Sequence, residues 1–362
     1  MPKKRILIDL SKLRQPMCGL GQIALNYGRW YANNAASLSD SLDITLLVPK
    51  NFVGVFGHQV HYLVAHRCYA LFPALLPHFD LWHAIHQRSP FRPPKSTPQY
   101  ILTIHDVNFI HEKTPLKQRK YIRRLQHKCN RATLVTFISH FAKDDTLQFI
   151  DLHGKPSMII YNGVEQLTSG PQQQPPQLSH SATQSLSTPP DAPFFLAIGE
   201  VKEKKQLHTL LPLMDRLPDY RLLIAGNDNT PYARQLRAQL HRHPNVSLIG
   251  IVSDSQRRWL YSHCTALLFP SIAEGFGLPI IEAMQWGKPV FCSNRTSLPE
   301  IGSTHAHYFL DFDPDHMADL VRRNLAEYND RLADEARSYA ASFSYEKHMQ
   351  QYVSLYLADN IE

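Results

Sequence analysis

Residues 274–282 read EGFGLPIIE: a glutamate, a glycine-rich patch, an apolar run and a second glutamate. Gly275 and Gly277 let the backbone come close to a ligand. Pro279 suits the first turn of a helix. A helix starting near Leu278 puts Glu282 about one turn inside it, directed back toward the loop that holds Glu274. Two carboxylates so placed accept paired hydroxyls, as in a ribose diol or a hexose ring. A metal site is the weaker reading, because no histidine cluster accompanies them. The plain alternative is a turn followed by a helix whose second glutamate faces solvent.

What flanks the stretch sets the fold. Upstream, FFLAIG (194–199), YRLLIAG (220–226), NVSLIG (245–250) and ALLFPS (266–271) are short apolar runs ending in glycine or serine. KPVFCSN (288–294) and HYFLDF (307–312) follow it. Helical patterns fill the gaps at 204–216, 230–241, 253–263, 279–286 and 315–342. The first half alternates in the same way, through RILIDL (5–10), DITLLVP (43–49), DLWHA (80–84), QYILTIHD (99–106), ATLVTFIS (132–139) and SMIIYNG (157–163). Helical patterns there cover 21–35, 116–131 and 141–152. Continuous apolar strands between helices predict parallel sheets covered on both faces.

The expectation is therefore an α/β chain of two Rossmann-like domains facing a central cleft, where ligands sit at the carboxyl ends of strands. The first domain is placed at 1–164 and the second at 193–343. Residues 165–192, rich in Gln, Ser, Thr and Pro, are expected to be a linker or disordered segment. The last stretch, 344–362, reads as a helix.

Bulk composition narrows the function. A chain of 362 residues exceeds what one core usually carries. A net charge of +7 suggests an anionic partner. The 5 cysteines are scattered, with no CxxC pair, which argues for a reduced cytoplasmic compartment and against a disulfide framework or zinc site. The start, MPKKRILIDLSKL, is not read as a signal peptide, and no apolar stretch is long enough to span a bilayer.

Loops after strands carry chemically pointed residues. Gly19 and Gly21 open a helix whose N–H groups could face an anion, though a glycine turn that lets the helix pack is an equal reading. Lys204 and Lys205 sit where a loop enters a predicted helix, and could meet a phosphate; spacing alone favours solvated surface charge.

The run LLFPSIAEGFGLPIIEAMQWGKPVFCSNRTSLPEI (267–301) resembles the donor-site signature of retaining glycosyltransferases of family 4, which have GT-B architecture. Glu274 and Glu282 match that family's Glu-x7-Glu motif. IGEVKEKKQL resembles its phosphate-contacting loop, and GLGQIALNY its N-terminal glycine loop. TIHDVNFI (103–110), FISHFAKDD (137–145) and IIYNGV (159–164) resemble its first-domain motifs, in order. SYEKHMQQYVSLY (344–356) resembles the C-terminal helix that packs back on the first domain.

The resemblance implies roles. Glu282 would bind the nucleotide ribose, and Glu274 hydroxyls of the donor sugar. Backbone N–H groups of Phe276, Gly277 and Leu278 would hold sugar and diphosphate. Lys205, with Lys204, would neutralise the leaving diphosphate, Gly19 would approach it, and His105 would face the sugar near its anomeric centre. Ser139 and Asn162 match motif positions but read better as turn and cap residues. Where the family usually has an arginine beside its lysine, Lys204 stands here, and lysine makes no bidentate phosphate contact.

The activity implied is a retaining, metal-independent hexosyltransferase without cofactor, building a surface polysaccharide. HDVNFI and EGFGLP most resemble members using GDP-mannose. A UDP- or dTDP-sugar donor (glucose, N-acetylglucosamine, rhamnose) or a catalytically weak GT-B scaffold are the alternatives. The acceptor would be a glycan or lipid-linked saccharide.

One stretch, LKQRKYIRRLQHKCNRATL (116–134), carries Lys117, Arg119, Lys120, Arg123, Arg124, Lys128 and Arg131 and no acid. It reads either as a footing on an anionic membrane's inner face or as a solvated basic helix. Nucleic acid is not expected as a partner, since no aromatic stacking platform accompanies the charge.

Overall fold

The computed structural model describes residues 3–16, 19–166 and 192–358, the side chain of His111 excepted. Residues 167–191, most of the expected linker, lie outside the described residues. The chain divides into two units, Met1–Gly163 with Tyr345–Glu362, and Val164–Ser344.

Unit 1 is a parallel sheet of β1 (Lys4–Asp9), β2 (Leu42–Val48), β3 (His61–Val64), β4 (Leu81–Ala84), β5 (Gln99–Ile104), β6 (Leu134–Phe137) and β7 (Ser157–Ile159). The order is β3-β2-β1-β4-β5-β6-β7. Inner strands such as β4 and β6 are buried at every position, as a sheet covered on both faces requires. β3 is the strand the apolar pattern missed. It lies at the sheet edge, with His61 and Val64 exposed, so its sequence carries no continuous apolar run.

Unit 2 holds β8 (Phe194–Ile198), β9 (Arg221–Ala225), β10 (Val246–Gly250), β11 (Ala266–Phe269), β12 (Val290–Ser293) and β13 (His307–Phe309), in the order β10-β9-β8-β11-β12-β13. The long 315–342 pattern resolves into two helices, Pro314–Glu327 and Asp330–Ala341, separated at Asn329, whose side chain caps the second.

The helix Tyr345–Leu357 belongs to unit 1, and its Met349, Tyr352 and Tyr356 enter that unit's core beside Tyr27 and Tyr31. It is fixed by buried polar bonds. His83 Nδ1 meets the Tyr356 hydroxyl at 2.6 Å and its Nε2 meets Thr103 Oγ1 at 2.8 Å. His348 bonds the Tyr27 hydroxyl at 2.8 Å and the Tyr161 carbonyl at 2.7 Å. Burial pushes the His348 imidazole down to about 4, and His83 well below the usual range. Unfolding frees both rings to protonate near pH 6.5. Stability is thus complete above that pH and falls as pH drops toward 4, by roughly 3 kcal/mol from His348 alone. Urea titrations at pH 7.5 and pH 5 are expected to show a lower midpoint at pH 5. Equal midpoints would contradict the buried neutral rings.

The basic stretch forms the helix Pro115–Arg131, with Leu125 and Cys129 in the core. Two of its seven named cations are not available to a surface. Lys128 Nζ donates to the carbonyls of Gln87 and Ser89 at 2.9 and 2.5 Å, and Arg131 to those of Pro93 and Pro94 at 3.1 Å each. Lys117, Arg119, Lys120, Arg123 and Arg124 remain exposed. Among the described residues no helix is long and apolar enough to cross a membrane.

Candidate functional site

In unit 2, β8 and β11 are neighbours, with Ala266 paired to Phe195. The loops leaving their carboxyl ends meet. Ile272 N–H donates to the Lys204 carbonyl at 2.9 Å, and Ser271 Oγ to the same oxygen at 3.3 Å. That junction brings Lys205 against Glu274, whose side chains are only 14% and 15% exposed and form an ion pair. Ser271 Oγ adds a hydrogen bond to the same carboxylate at 2.7 Å, and the Lys205 ammonium lies 4.6 Å from the centre of the Phe269 ring. Burial pushes the Glu274 carboxyl up, but the Lys205 charge and hydrogen bond, with Ser271 and Lys204, hold it below its ordinary value.

The lysines do not open an α-helix, as the spacing predicted. They sit in a short 3-10 turn, Glu203–Lys205, after which Gln206 turns left-handed at φ 50° and delays the α-helix to Leu210–Asp215. Lys205 is correspondingly not a solvated surface charge.

The helix Leu278–Gln285 starts where the sequence placed it. Gly277 precedes it at φ 103°, a left-handed backbone that favours glycine, and a Cβ there would lie 2.7 Å from Leu298 Cδ2, which would have to shift. The N–H groups of Gly277 and Leu278 fall where no intrahelical carbonyl reaches. Phe276 offers only its backbone to a ligand, since its ring is buried edge-on to Phe343 at 5.9 Å. The segment after β12 clamps this loop: Ser297 Oγ donates to the carbonyls of Glu274 and Phe276, both at 3.0 Å.

Glu282, within that helix, accepts from Arg257 at 3.2 Å and from the Tyr261 hydroxyl at 2.7 Å. Arg257 and Tyr261 lie on the helix Asp254–His263, whose start carries a Ser253–Gln256 capping box. The sequence reading missed both. Their i, i+4 spacing was the available signal, but nothing local pairs them with a glutamate on another helix. Arg257 also faces Glu165 at 3.5 Å, so the first residue of the expected linker is part of unit 2. Glu274 and Glu282 are thus each met by a separate cation.

In unit 1, Gly19 is the first residue of the helix Gly19–Leu38. A Cβ on Gly19 would meet nothing, whereas one on Gly21 would lie 2.1 Å from the Gln15 carbonyl oxygen; close packing therefore fixes Gly21. His105 follows β5 and is 4% exposed. Its Nε2 donates to the Ile85 carbonyl at 2.8 Å, which leaves Nδ1 as an acceptor with no partner among the described residues. Burial lowers its pKa, so the ring is neutral. Ser139 caps the helix His140–Leu147 through Ala142 N–H at 3.0 Å, and Asn162 is buried at the end of β7's strand–loop.

Among the described residues no three His, Cys, Asp or Glu side chains gather to hold a metal. The sequence does contain an Asp-x-Asp run, Asp311-Phe312-Asp313-Pro314-Asp315. Its carboxylates are spent locally. Asp313 caps the helix Pro314–Glu327, Asp311 pairs with His316 at 3.1 Å, and Asp315 with Arg216 at 2.6 Å.

Comparison with known proteins agrees in kind. Residues 181–342 match the family described as glycosyl transferases group 1. The O-antigen chain mannosyltransferase RfbU of Salmonella typhimurium is 25% identical over 263 residues, 72% of this chain and 69% of that one. The O-antigen chain mannosyltransferase B of Escherichia coli is 32% identical over 174 residues, 45% of each chain. Among solved structures, sucrose-phosphate synthase from Thermosynechococcus elongatus superposes with a TM-score of 0.70 at 18% identity, covering 98% of both chains. Anabaena HepE in complex with UDP-glucose gives 0.71 at 17%, covering 97% of this chain and 98% of that one. At such identities the structures speak for the fold alone.

Proposed function

We propose that this chain, whose residues 181–342 match the glycosyl transferases group 1 family, is a glycosyltransferase that moves mannose from GDP-mannose to a growing surface polysaccharide. The acceptor is a glycan or a lipid-linked saccharide, and the anomeric configuration is retained. One observation carries the reading. Lys205 and Glu274, from loops of neighbouring parallel strands, form a largely buried ion pair beside the helix start at Leu278. Similarity to O-antigen mannosyltransferases supports the choice of sugar.

In the reaction the bond from the anomeric carbon to the diphosphate oxygen breaks, and its electron pair leaves with the diphosphate. Lys205, with Lys204, meets the charge that builds there, and the N–H groups of Gly277 and Leu278 add fixed dipoles. Glu274 accepts from sugar hydroxyls, and Glu282 from the ribose diol. In unit 1, His105 is neutral with a free Nδ1 that can accept from a substrate hydroxyl, and the open space around Gly19 leaves its helix start approachable. The acceptor hydroxyl attacks the face that the diphosphate leaves, and its proton passes to the departing phosphate oxygen. No resident metal or cofactor takes part.

The test is a donor panel. GDP-mannose, UDP-glucose, UDP-N-acetylglucosamine and dTDP-rhamnose are each incubated with the chain and a lipid-linked acceptor, with and without EDTA. Transfer from GDP-mannose, unchanged by EDTA, is expected. Transfer only from a UDP- or dTDP-sugar would overturn the donor, and transfer from none would overturn the activity.

The five exposed cations of the helix Pro115–Arg131 suit an anionic inner membrane face, where a lipid-linked acceptor would lie. Sedimentation with phosphatidylglycerol vesicles is expected to bring the chain down at low salt. Replacing Lys117, Arg119, Lys120, Arg123 and Arg124 by glutamine should release it; vesicle binding unaffected by those changes would remove this footing.

A further inference from the structure

The loop after β4 in unit 1 is assembled around charge. Asp9, ending β1, is fully buried and accepts from Ser11 N–H at 3.0 Å and from the Ser89 hydroxyl. Lys128 reaches in from its helix to the Gln87 and Ser89 carbonyls. Asp9 and Lys128 offset one another there.

His86 belongs to the same loop and is 2% exposed. Its Nδ1 accepts the Arg88 N–H at 3.1 Å, so its proton is on Nε2. That N–H is buried and has no partner among the described residues. Buried donors left without an acceptor are rare, and each calls for a missing water or ligand.

The surroundings name the sign of the ligand. Lys12, Arg88 and Lys128 all act electrostatically on the His86 ring. β1 and β4 pair with Asp9 opposite Ala84, so Lys12 and His86 follow the same carboxyl end of the sheet three and two residues further on. Arg88 is exposed, and its guanidinium has no partner among the described residues. Lys128 is already offset by Asp9, and Lys12 Nζ donates to the neutral Gln15 Oε1 at 2.6 Å, which leaves the charges of Lys12 and Arg88 in excess.

We propose that this carboxyl end of β1 and β4 in unit 1 is a phosphate subsite, in which Lys12 and Arg88 take a phosphate or diphosphate group and His86 Nε2–H reaches it through one bridging water. The water is needed because the nitrogen itself is covered. Binding of the anion stands on this geometry alone. Its source rests on the transferase reading: the diphosphate of a lipid-linked acceptor, since that of the nucleotide sugar is given to Lys205.

The probe is sodium pyrophosphate, titrated into the full chain while the His86 ring nitrogens are followed by 15N NMR, assigned with His86→Gln. A saturable shift of the Nε2 signal is expected. Lys12→Ala with Arg88→Ala should weaken it by about 10- to 100-fold, the loss of a charge-assisted contact. Lys205→Ala should leave it unchanged. No shift, or a shift abolished by Lys205→Ala and untouched by the Lys12/Arg88 pair, overturns the proposal. Kinetics then separate the sources. A raised KM for a diphosphate-linked acceptor, with KM for the nucleotide sugar unchanged, assigns the subsite to the acceptor; the reverse overturns that source. Absence of turnover with any donor sinks the transferase reading, while the pyrophosphate titration still decides the subsite.

Discussion

Lys205→Ala is expected to lower kcat/KM for glycosyl transfer by about 10²- to 10³-fold, the range seen when one preorganised group is removed from a developing anion. The ammonium is held by Glu274 and lies over Phe269, so its position is set before any donor arrives. The low exposure of both side chains keeps water from screening the pair. The loss should fall on kcat, because charge on the diphosphate peaks in the transition state. The substitution also strands a buried carboxylate, which costs about 3–5 kcal/mol of stability. Lys205→Met with Glu274→Gln relieves that cost by neutralising both. A well-folded double variant with wild-type turnover would end the role given to Lys205. The pair also has a pH signature. The Glu274 carboxyl is held below its ordinary value, so its contribution is present above that value and lost as pH falls through the lowered one.

The second large effect is on donor affinity. Glu282→Ala should weaken nucleotide binding by about 10- to 100-fold, since a carboxylate bonding a diol makes charge-assisted hydrogen bonds worth about 1.5–3 kcal/mol each. KM should rise and kcat change less, because the ribose is held alike in the ground and transition states. Arg257 and Tyr261 fix the carboxylate from the neighbouring helix, so Tyr261→Phe should weaken binding by a smaller factor, about 3- to 10-fold. Isothermal titration with GDP reads both variants. An unchanged affinity in Glu282→Ala would place the ribose elsewhere.

The architecture was legible because parallel strands buried on both faces write themselves as apolar runs. β11 and β12, buried throughout, are examples, and the helix at Leu278 was announced by Gly277 and Pro279. β3 was not legible, because an edge strand need not be apolar. Nor was the turn at Lys204 and Lys205. Gln206 adopts a left-handed conformation that its side chain does not advertise, and the helical pattern after it began too early as a result. The motif residues Glu274, Glu282 and Lys205 stood out by type and spacing. Their partners did not. The Lys205–Glu274 contact joins residues 69 apart, and Arg257 meets Glu282 across 25. Such pairings are made by strand order, which no local pattern encodes. The basic helix shows the converse: seven cations read alike in sequence, yet Lys128 and Arg131 are bound to backbone carbonyls and only folding reveals which.

The most direct test of the central claim, that unit 2 holds a nucleotide-sugar site built on Glu282 and Lys205, is thermal unfolding of the chain with GDP, UDP, dTDP and ADP and their common sugars, repeated on Glu282→Ala. Ligand at a hundredfold excess over its Kd stabilises by about 2.7 kcal/mol, which is readily seen as a raised Tm. The account predicts stabilisation by GDP and GDP-mannose that Glu282→Ala loses. No shift with any nucleotide at millimolar concentration, or an equal shift in the variant, would contradict it.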